Sequence, residues 1–73
     1  MRLQAIIVLG NADASRVEGL VFKDLHNYYT AFEIYENGLD TIVEVYSEDE
    51  DAGEQTADYL EDNGYDIDEY IIK

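Results

Sequence analysis

Residues 28–46, with the sequence YYTAFEIYENGLDTIVEVY, carry the strongest local fold signal in the chain. Two runs rich in β-branched and aromatic residues, 28–36 and 39–46, flank the dipeptide Asn37-Gly38. This dipeptide is the best short-range signal for a hairpin, because both central positions of a type I′ turn require a positive φ. The stretch therefore predicts an antiparallel β-hairpin that turns at Asn37-Gly38.

A strand and a helix are predicted before the hairpin. Residues 3–9 are apolar except for Gln4, with β-branched residues at the centre, and the breaker Gly10-Asn11 follows them. This pattern is typical of a strand. Ser15 and Glu18 match a capping box, and the apolar residues behind them recur at helical spacing, which predicts a helix over 13–26.

A second helix and a last strand are predicted after the hairpin. Ser47 and Glu50 match a second capping box, so we expect the four acids of residues 48–51 in the first helical turn, where carboxylates are stabilised. Asn63-Gly64 is a typical helix end. Residues 65–72 then predict a strand with Tyr65, Ile67 and Ile71 on one face and Asp66, Asp68 and Tyr70 on the other.

The resulting order of elements is βαββαβ. Two crossovers around a central hairpin predict the ferredoxin-like split arrangement, a single α+β domain over 1–73 with an antiparallel four-stranded sheet and two helices on one face. A looser α+β sandwich with another strand order is the alternative. A chain of 73 residues supports one domain with a small core.

The charge of the chain is large and unevenly distributed. The 73 residues include 18 Asp and Glu against 4 Lys and Arg, for a net charge of −14. Residues 1–32 hold three acids and three bases, whereas residues 33–73 hold fifteen acids and a single base, Lys73. Such acidity excludes nucleic-acid binding through a basic patch and disfavours anionic membranes, so neither is expected as a direct partner.

Nothing in the sequence predicts a catalytic residue, a metal ligand set or a cofactor. The absence of Cys excludes disulfides, thiolate metal sites and a Cys nucleophile. A calcium loop starting at Asp49 fails, because Gly53 falls at position 5 and Leu60 at position 12. His26 is the only histidine, and we interpret it as a surface or helix-end residue. An enzyme is therefore not expected.

The second helix carries an acidic stripe. At about 100° per residue, five acids fall within about 100° of one another. They are Asp51, Glu54, Asp58, Glu61 and Asp62. Neighbours on the stripe are three or four residues apart, which separates them by about 5–6 Å, a scale similar to the spacing of phosphates along one DNA strand.

The open face of the sheet is predicted to combine tyrosines with acids. The alternation that buries Phe32, Ile34, Val43 and Val45 places Glu33, Tyr35, Glu44, Tyr46, Asp68 and Tyr70 on the other face. Tyrosine-rich surfaces suit protein contacts, because one end of the side chain is apolar and the other polar. A homodimer through Tyr35, Tyr46 and Tyr70 is one use of such a face.

In overall character the chain resembles phage-encoded DNA mimics such as anti-restriction and anti-CRISPR proteins. The resemblance rests on size, charge and missing catalytic groups, and no aligned motif transfers residue roles. It implies a non-enzymatic inhibitor that blocks the basic groove of a DNA- or RNA-binding protein in the cytoplasm, the host's if the protein is phage-encoded. The alternatives are a regulatory or assembly module that dimerises through its sheet face, and an ordinary acidic domain of a halophile.

The residues expected to contact such a basic partner form three groups, to which Asp66 and Asp68 of the last strand are added. The stripe residues would pair with Lys or Arg of the target, the acids before the helix would extend the field, and tyrosines would provide apolar anchors. In full they are Glu48, Asp49, Glu50, Asp51, Glu54, Asp58, Glu61, Asp62, Tyr46, Tyr59, Tyr65, Asp66, Asp68 and Tyr70.

Overall fold

Four antiparallel strands form one sheet in the computed structural model, which describes residues 1–73. The elements in chain order are β1 (Arg2–Leu9), α1 (Ala14–Asp24), β2 (Thr30–Asn37), β3 (Asp40–Ser47), α2 (Ala52–Asp62) and β4 (Ile67–Ile72). The strand order across the sheet is β2-β3-β1-β4. The predicted βαββαβ order and the ferredoxin-like arrangement are therefore confirmed, and the sandwich alternative is not adopted.

The core lies between the sheet and the two helices. Alternate residues of β1 and β3, such as Ile7 and Val43, face Val17 and Val21 of α1 and Leu60 of α2, and all five are fully buried. Helix α1 contacts β2, whereas α2 contacts β1, β3 and β4. Both helices thus cover one face of the sheet side by side, and no element covers the other face.

The hairpin turn differs from the prediction by one residue. Asn37 pairs with Asp40, so the two loop residues are Gly38 and Leu39 and not Asn37-Gly38. Gly38 has a φ of 66°, and neither Asn37 nor Leu39 has a positive φ. A glycine with positive φ at the first central position is the signature of a type II′ turn, so the predicted type I′ turn is wrong.

The predicted faces of the hairpin survive this shift. Moving the turn by one residue changes the pairing between β2 and β3 by two residues, and a shift of two returns each side chain to the same face. Phe32 therefore pairs with Val45 and Ile34 with Val43 on the helix-covered side.

Helix α1 is capped by Asp13 and not by Ser15. The Asp13 carboxylate accepts hydrogen bonds from the backbone N–H groups of Ser15 at 2.9 Å and Arg16 at 3.4 Å. Asp13 has an extended backbone and directly precedes Ala14, the first helical residue. An Asp at this position satisfies the free amide groups of the first turn as well as Ser does, so the predicted capping box at Ser15 is not formed.

The second predicted capping box is also absent. Ser47 is the fully buried last residue of β3, and its hydroxyl donates to the Tyr29 carbonyl at 2.9 Å. The same hydroxyl lies 3.0 Å from the Thr30 hydroxyl and accepts from the Asp49 amide at 3.0 Å. Ser47 therefore ties the loops around β2 and β3 together, and α2 begins later, with Asp51 as its N-cap.

A β-bulge in β4 alters the predicted faces of the last strand. Ile67 pairs with Leu9 and Glu69 pairs with the preceding residue Val8, so Asp68 is an extra residue between them. One inserted residue inverts the alternation of everything beyond it. The prediction that Ile71 shares a face with Ile67 is therefore wrong.

The inversion moves Tyr70 to the helix-covered side of the sheet. Tyr70 pairs with the buried Ile7, and Ile71 pairs with Ile6 on the open side. The Tyr70 hydroxyl approaches α2 at Gly53, where a Cβ atom would lie 3.2 Å from it and 2.7 Å from the Cβ of Ala5. Glycine at position 53 thus lets α2 lie close to β1 and β4.

Candidate partner-binding surfaces

One acidic surface lies along the outer side of α2. We call it the α2 face, and its residues are Asp51, Glu54, Asp58, Glu61 and Asp62. All five are exposed. The opposite side of the helix is buried through residues such as Thr56 and Leu60, which fixes the rotation of α2 on the sheet. The periodicity of apolar residues therefore directs these carboxylates to solvent.

Like charges face each other along the α2 face. Glu54 and Asp58, and likewise Asp58 and Asp62, lie four residues apart within the helix. Each such pair destabilises a helix by about 0.2–0.5 kcal/mol. Glu50 lies four residues before Glu54, but the two do not form a helical pair, because Glu50 precedes the helix.

Three further acids lie in the loop between β3 and α2. Glu48, Asp49 and Glu50 are exposed and precede the helix, so the expectation that they occupy its first turn is wrong. The Asp49 carboxylate accepts from the Asp51 amide at 2.9 Å, which orders the loop. These acids extend the negative surface from the N-terminal end of α2.

Almost none of the carboxylates has a cationic partner. The only ion pair joins the amino group of Met1 to a carboxylate oxygen of Glu48 at 3.5 Å. Helix α1 contains the bases Arg16 and Lys23, whereas α2 contains no base. The acidic half of the sequence therefore forms a surface whose charge the protein itself does not neutralise.

Two of the predicted tyrosine anchors do not lie beside the α2 face. Tyr46 is on the open face of the sheet, on the opposite side from α2. Tyr59 points to α1, where its hydroxyl donates to the Asp24 carboxylate at 2.5 Å and to the Leu20 carbonyl at 3.2 Å. Burial, and then the hydrogen bond to Asp24, raises the pKa of Tyr59 to about 12. Tyr59 thus joins the two helices.

Tyr70 is the tyrosine closest to the predicted role. It is 37% exposed, and burial together with the charges of Glu54 and Asp58 raises its pKa. Tyr65 instead packs against the core. Tyr70 therefore provides a partly apolar surface next to the carboxylates of the α2 face.

The two remaining predicted acids lie around the end of β1. The backbone carbonyl of Asp66 accepts a hydrogen bond from the Gly10 amide at 3.1 Å. The Asp68 carboxylate lies against Gly10, so closely that a Cβ atom there would be 2.6 Å from it. Asp68 is the bulged residue of β4 and has no partner of its own in β1.

The second candidate surface is the uncovered side of the sheet, which we call the open face. Strand pairing arranges it in three rows that run across the sheet. The rows are Tyr35, Ile42, Val8 and Glu69; then Glu33, Glu44, Ile6 and Ile71; then Ala31, Tyr46 and Leu3. The predicted residues Glu33, Tyr35, Glu44 and Tyr46 are present, whereas Tyr70 is not.

A hydrogen-bonded carboxylate lies near the centre of the open face. Glu44 accepts from the hydroxyls of Tyr35 and Tyr46, each at 2.7 Å. These two bonds, first that of Tyr46, hold the pKa of Glu44 below its usual range, and the bonds to Glu44 raise the pKa of both tyrosines. The arrangement fixes an ionised carboxylate at a defined place on the sheet.

The prediction missed the apolar part of the open face. Ile6 and Val8 lie there, beside Ile42, which is only 7% exposed although it is outside the helix-side core. Their signal was the continuous apolar run of residues 5–9, which is typical of a strand buried on both faces. Ile71 joins them because of the bulge in β4.

No group of three or more Asp, Glu or His side chains is arranged to hold a metal ion. His26 stacks on Phe22 with ring centroids 5.0 Å apart. Neither helix is long and apolar enough to cross a membrane.

Comparison with protein-family models, curated protein sequences and solved structures gives no match to this chain. Function is therefore inferred from the chemistry of the α2 face and the open face.

Proposed function

We propose that this protein is a non-enzymatic inhibitor whose α2 face imitates the phosphates of a nucleic-acid strand. It occupies the basic groove of a DNA- or RNA-binding protein in the cytoplasm, as anti-restriction and anti-CRISPR proteins of phages do. The observation that carries the proposal is the exposed α2 face, whose five carboxylates form no salt bridge. In such a surface the missing positive charges are supplied by the partner.

The density of charge on α2 supports this proposal. From its N-cap Asp51 to Asp62, helix α2 spans about 16 Å at 1.5 Å per residue. One DNA strand advances about 3.4 Å per nucleotide, so five phosphates occupy about the same length. The α2 face carries five carboxylates over this distance, and a groove that binds phosphates with Lys and Arg is complementary to it.

The stability cost of the α2 face also supports a function for it. Repulsion between its carboxylates destabilises the helix, and a small domain has little stability to lose. Negative surface charge that served only solubility would be present on α1 as well, whereas α1 carries equal numbers of acids and bases. Directed binding explains this difference between the two helices.

Two variants with equal charge change test the proposal. The double variant Glu54→Lys/Asp58→Lys reverses the middle of the α2 face. The control Glu18→Lys/Glu36→Lys reverses two exposed acids elsewhere. Each protein is immobilised and incubated with bacterial lysate at low salt, and retained proteins are identified by mass spectrometry.

The proposal predicts that wild type and control retain the same nucleic-acid-binding protein. Added salt or competing DNA should release it, because both weaken charge contacts with the groove. The double variant should retain none of it. Equal retention by the double variant, or the absence of nucleic-acid-binding proteins from every eluate, would contradict the proposal.

A second candidate function is a regulatory or assembly module that dimerises through the open face. The observation in its favour is the apolar character of Ile6, Val8 and Ile42 on that face. Sedimentation equilibrium at rising concentration tests it, with Tyr35→Ala and Tyr46→Ala as weakening variants. The negative charge of Glu44 argues against dimerisation, because a dimer would bring two Glu44 carboxylates together without a cation between them.

The third candidate is a halophile's ordinary acidic domain. It predicts that the melting temperature keeps rising up to molar NaCl. The inhibitor proposal predicts a smaller rise that levels off once the repulsion along α2 is screened, because the Debye length is already about 8 Å at 0.15 M salt.

A further inference from the structure

A sheet that is apolar on both sides normally has both sides covered. In this fold α1 and α2 cover one side only. On the other, Ile42 is only 7% exposed, and Ile6 and Val8 are half-buried without any element above them. The middle of the open face is therefore an apolar strip centred on β1.

Carboxylates border this strip on both sides. On one flank Glu44 and Glu33 are directly opposite each other in the pairing of β3 with β2. On the other flank Glu69 pairs with Val8. Like charges directly opposite destabilise a sheet, and no Lys or Arg occupies any of the paired positions of this face.

We propose that the open face binds a cationic amphipathic helix of a partner protein. The helix lies along β1 with its apolar side on Ile6 and Val8. Its Lys or Arg side chains reach Glu44 on one flank and Glu69 on the other. This surface is on the opposite side of the sheet from α2, so the proposal is independent of phosphate imitation.

Charge selects this occupant over the others. A second copy would place Glu33, Glu44 and Glu69 against the same three carboxylates without a cation between them. Nucleic acid and anionic lipid would be repelled by the same groups. A cationic helix neutralises them, and the hydroxyls of Tyr35 and Tyr46 already hold the Glu44 carboxylate in place for it.

The dimensions of the sheet define the length of the helix. Strand β1 has eight residues, which corresponds to about 26 Å at 3.3 Å per residue. A helix with a rise of 1.5 Å covers this length with about 17 residues. Layers packed on a sheet lie about 10 Å away, so apolar residues on one side of such a helix reach β1, and flanking cations reach the neighbouring strands.

A synthetic 17-residue peptide tests the proposal. It contains Leu on one helical side and Lys on both flanks, and a control peptide has Glu in place of every Lys. Each is titrated into uniformly ¹⁵N-labelled protein, and backbone amide shifts are followed by NMR. The expected result is binding of the Lys peptide alone, with the largest shifts at Ile6, Val8, Ile42 and Ile71.

Paired variants separate the open face from the α2 face. Glu33→Gln/Glu44→Gln removes two charges from the open face, and glutamine at 44 still accepts from the tyrosine hydroxyls. Glu54→Gln/Asp58→Asn removes the same charge from α2. The first should weaken the Lys peptide about tenfold, whereas the second should leave its affinity within about twofold.

Three results would overturn the proposal. Shifts confined to α2 would show that the peptide binds charge alone. Equal weakening by the two paired variants would show that the open face has no special role. Shifts at Val8 and Ile42 that grow with protein concentration in the absence of peptide would show that a second copy occupies the face.

Discussion

Reversing the charge of Asp58 should stabilise the protein and abolish capture of a basic partner at the same time. Asp58 is exposed and lies four residues from both Glu54 and Asp62 on α2. Asp58→Lys converts two repulsive pairs into two attractive ones. Each pair changes by about 0.4–1 kcal/mol, so the free energy of unfolding should rise by about 0.8–2 kcal/mol at low ionic strength.

The gain is measurable by thermal unfolding followed by circular dichroism. For a domain of this size 1 kcal/mol corresponds to about 4–8 °C, so the melting temperature should rise by about 3–16 °C in dilute buffer. In 1 M NaCl the Debye length falls to about 3 Å, and most of the gain should disappear.

Glu18→Lys is the matched control for this experiment. It makes the same change of net charge at an exposed position on α1, and the residues three and four positions away are all uncharged. Its effect at low salt should be well below that of Asp58→Lys. If both variants change the melting temperature equally, the repulsion is a property of net charge and not of the α2 face.

Stability and binding together make the result decisive. A variant that loses partner capture because it is unfolded cannot also be more stable than wild type. When residues that are kept for function at the expense of stability are replaced, stability rises and function is lost. A loss of stability in Asp58→Lys at low salt would refute the reasoning from like-charge pairs.

Three further predictions test the packing and the helix ends. Gly53→Ala should lower the melting temperature, because the new Cβ would lie 2.7 Å from a β1 side chain and overpacking lowers the free energy of unfolding by about 1–3 kcal/mol. Gly19→Ala, where nothing lies within 4 Å of the new Cβ, should raise the free energy of unfolding by up to about 1 kcal/mol. Equal effects of the two variants would contradict the contact of α2 with β1. In urea unfolding, Asp13→Ala should lower the free energy of unfolding by about 1 kcal/mol, and Ser15→Ala should lower it by less than about 0.5 kcal/mol. A larger loss for Ser15→Ala would show that Ser15 is the N-cap of α1. The pKa of Tyr59 is raised to about 12 from 10.0, so the contribution of the Tyr59 hydroxyl to the free energy of unfolding is complete below pH 10 and is lost as the pH rises towards 12. The difference in tyrosinate absorbance between wild type and Tyr59→Phe should therefore titrate near pH 12. A midpoint near pH 10 would contradict the burial of Tyr59 between the helices.

The sequence was sufficient to predict the order of elements because each signal was local. Alternation of apolar residues marked β2 and β3, a glycine marked the turn, and helical periodicity marked α1 and α2. The turn moved from Asn37-Gly38 to Gly38-Leu39 without altering the faces. A shift of two residues in pairing preserves the side on which every side chain lies.

The predictions of the helix cap at Ser47 and of the faces of β4 were wrong because contacts between residues distant in sequence determine both features. The side chain of Ser47 has the same local pattern as a helix cap, but it is bonded to Tyr29 and Thr30, which are distant in sequence. The bulge at Asp68 depends on how β4 pairs with β1. A single extra residue has no local signature, and it moved Tyr70 to the other side of the sheet.

The candidate surfaces show the same division. Helical periodicity placed the carboxylates of α2 correctly on the exposed side, because that pattern lies within one element. The tyrosines needed the tertiary fold: Tyr46 and Tyr70, predicted to share a face, lie on opposite sides of the sheet. The apolar part of the open face was missed because the continuous apolar run of β1 has no alternation that would show which of its residues face the helices.

The placement of α1 beside α2 makes the charge of the helix layer asymmetric. One helix is neutral, and its neighbour carries four acids and no base. A molecule of this kind rotates in the field of a cationic protein before the two touch, so that α2 faces the approaching partner. Orientation during approach raises the fraction of collisions that lead to binding, and the association rate constant for a basic partner should therefore fall steeply with ionic strength.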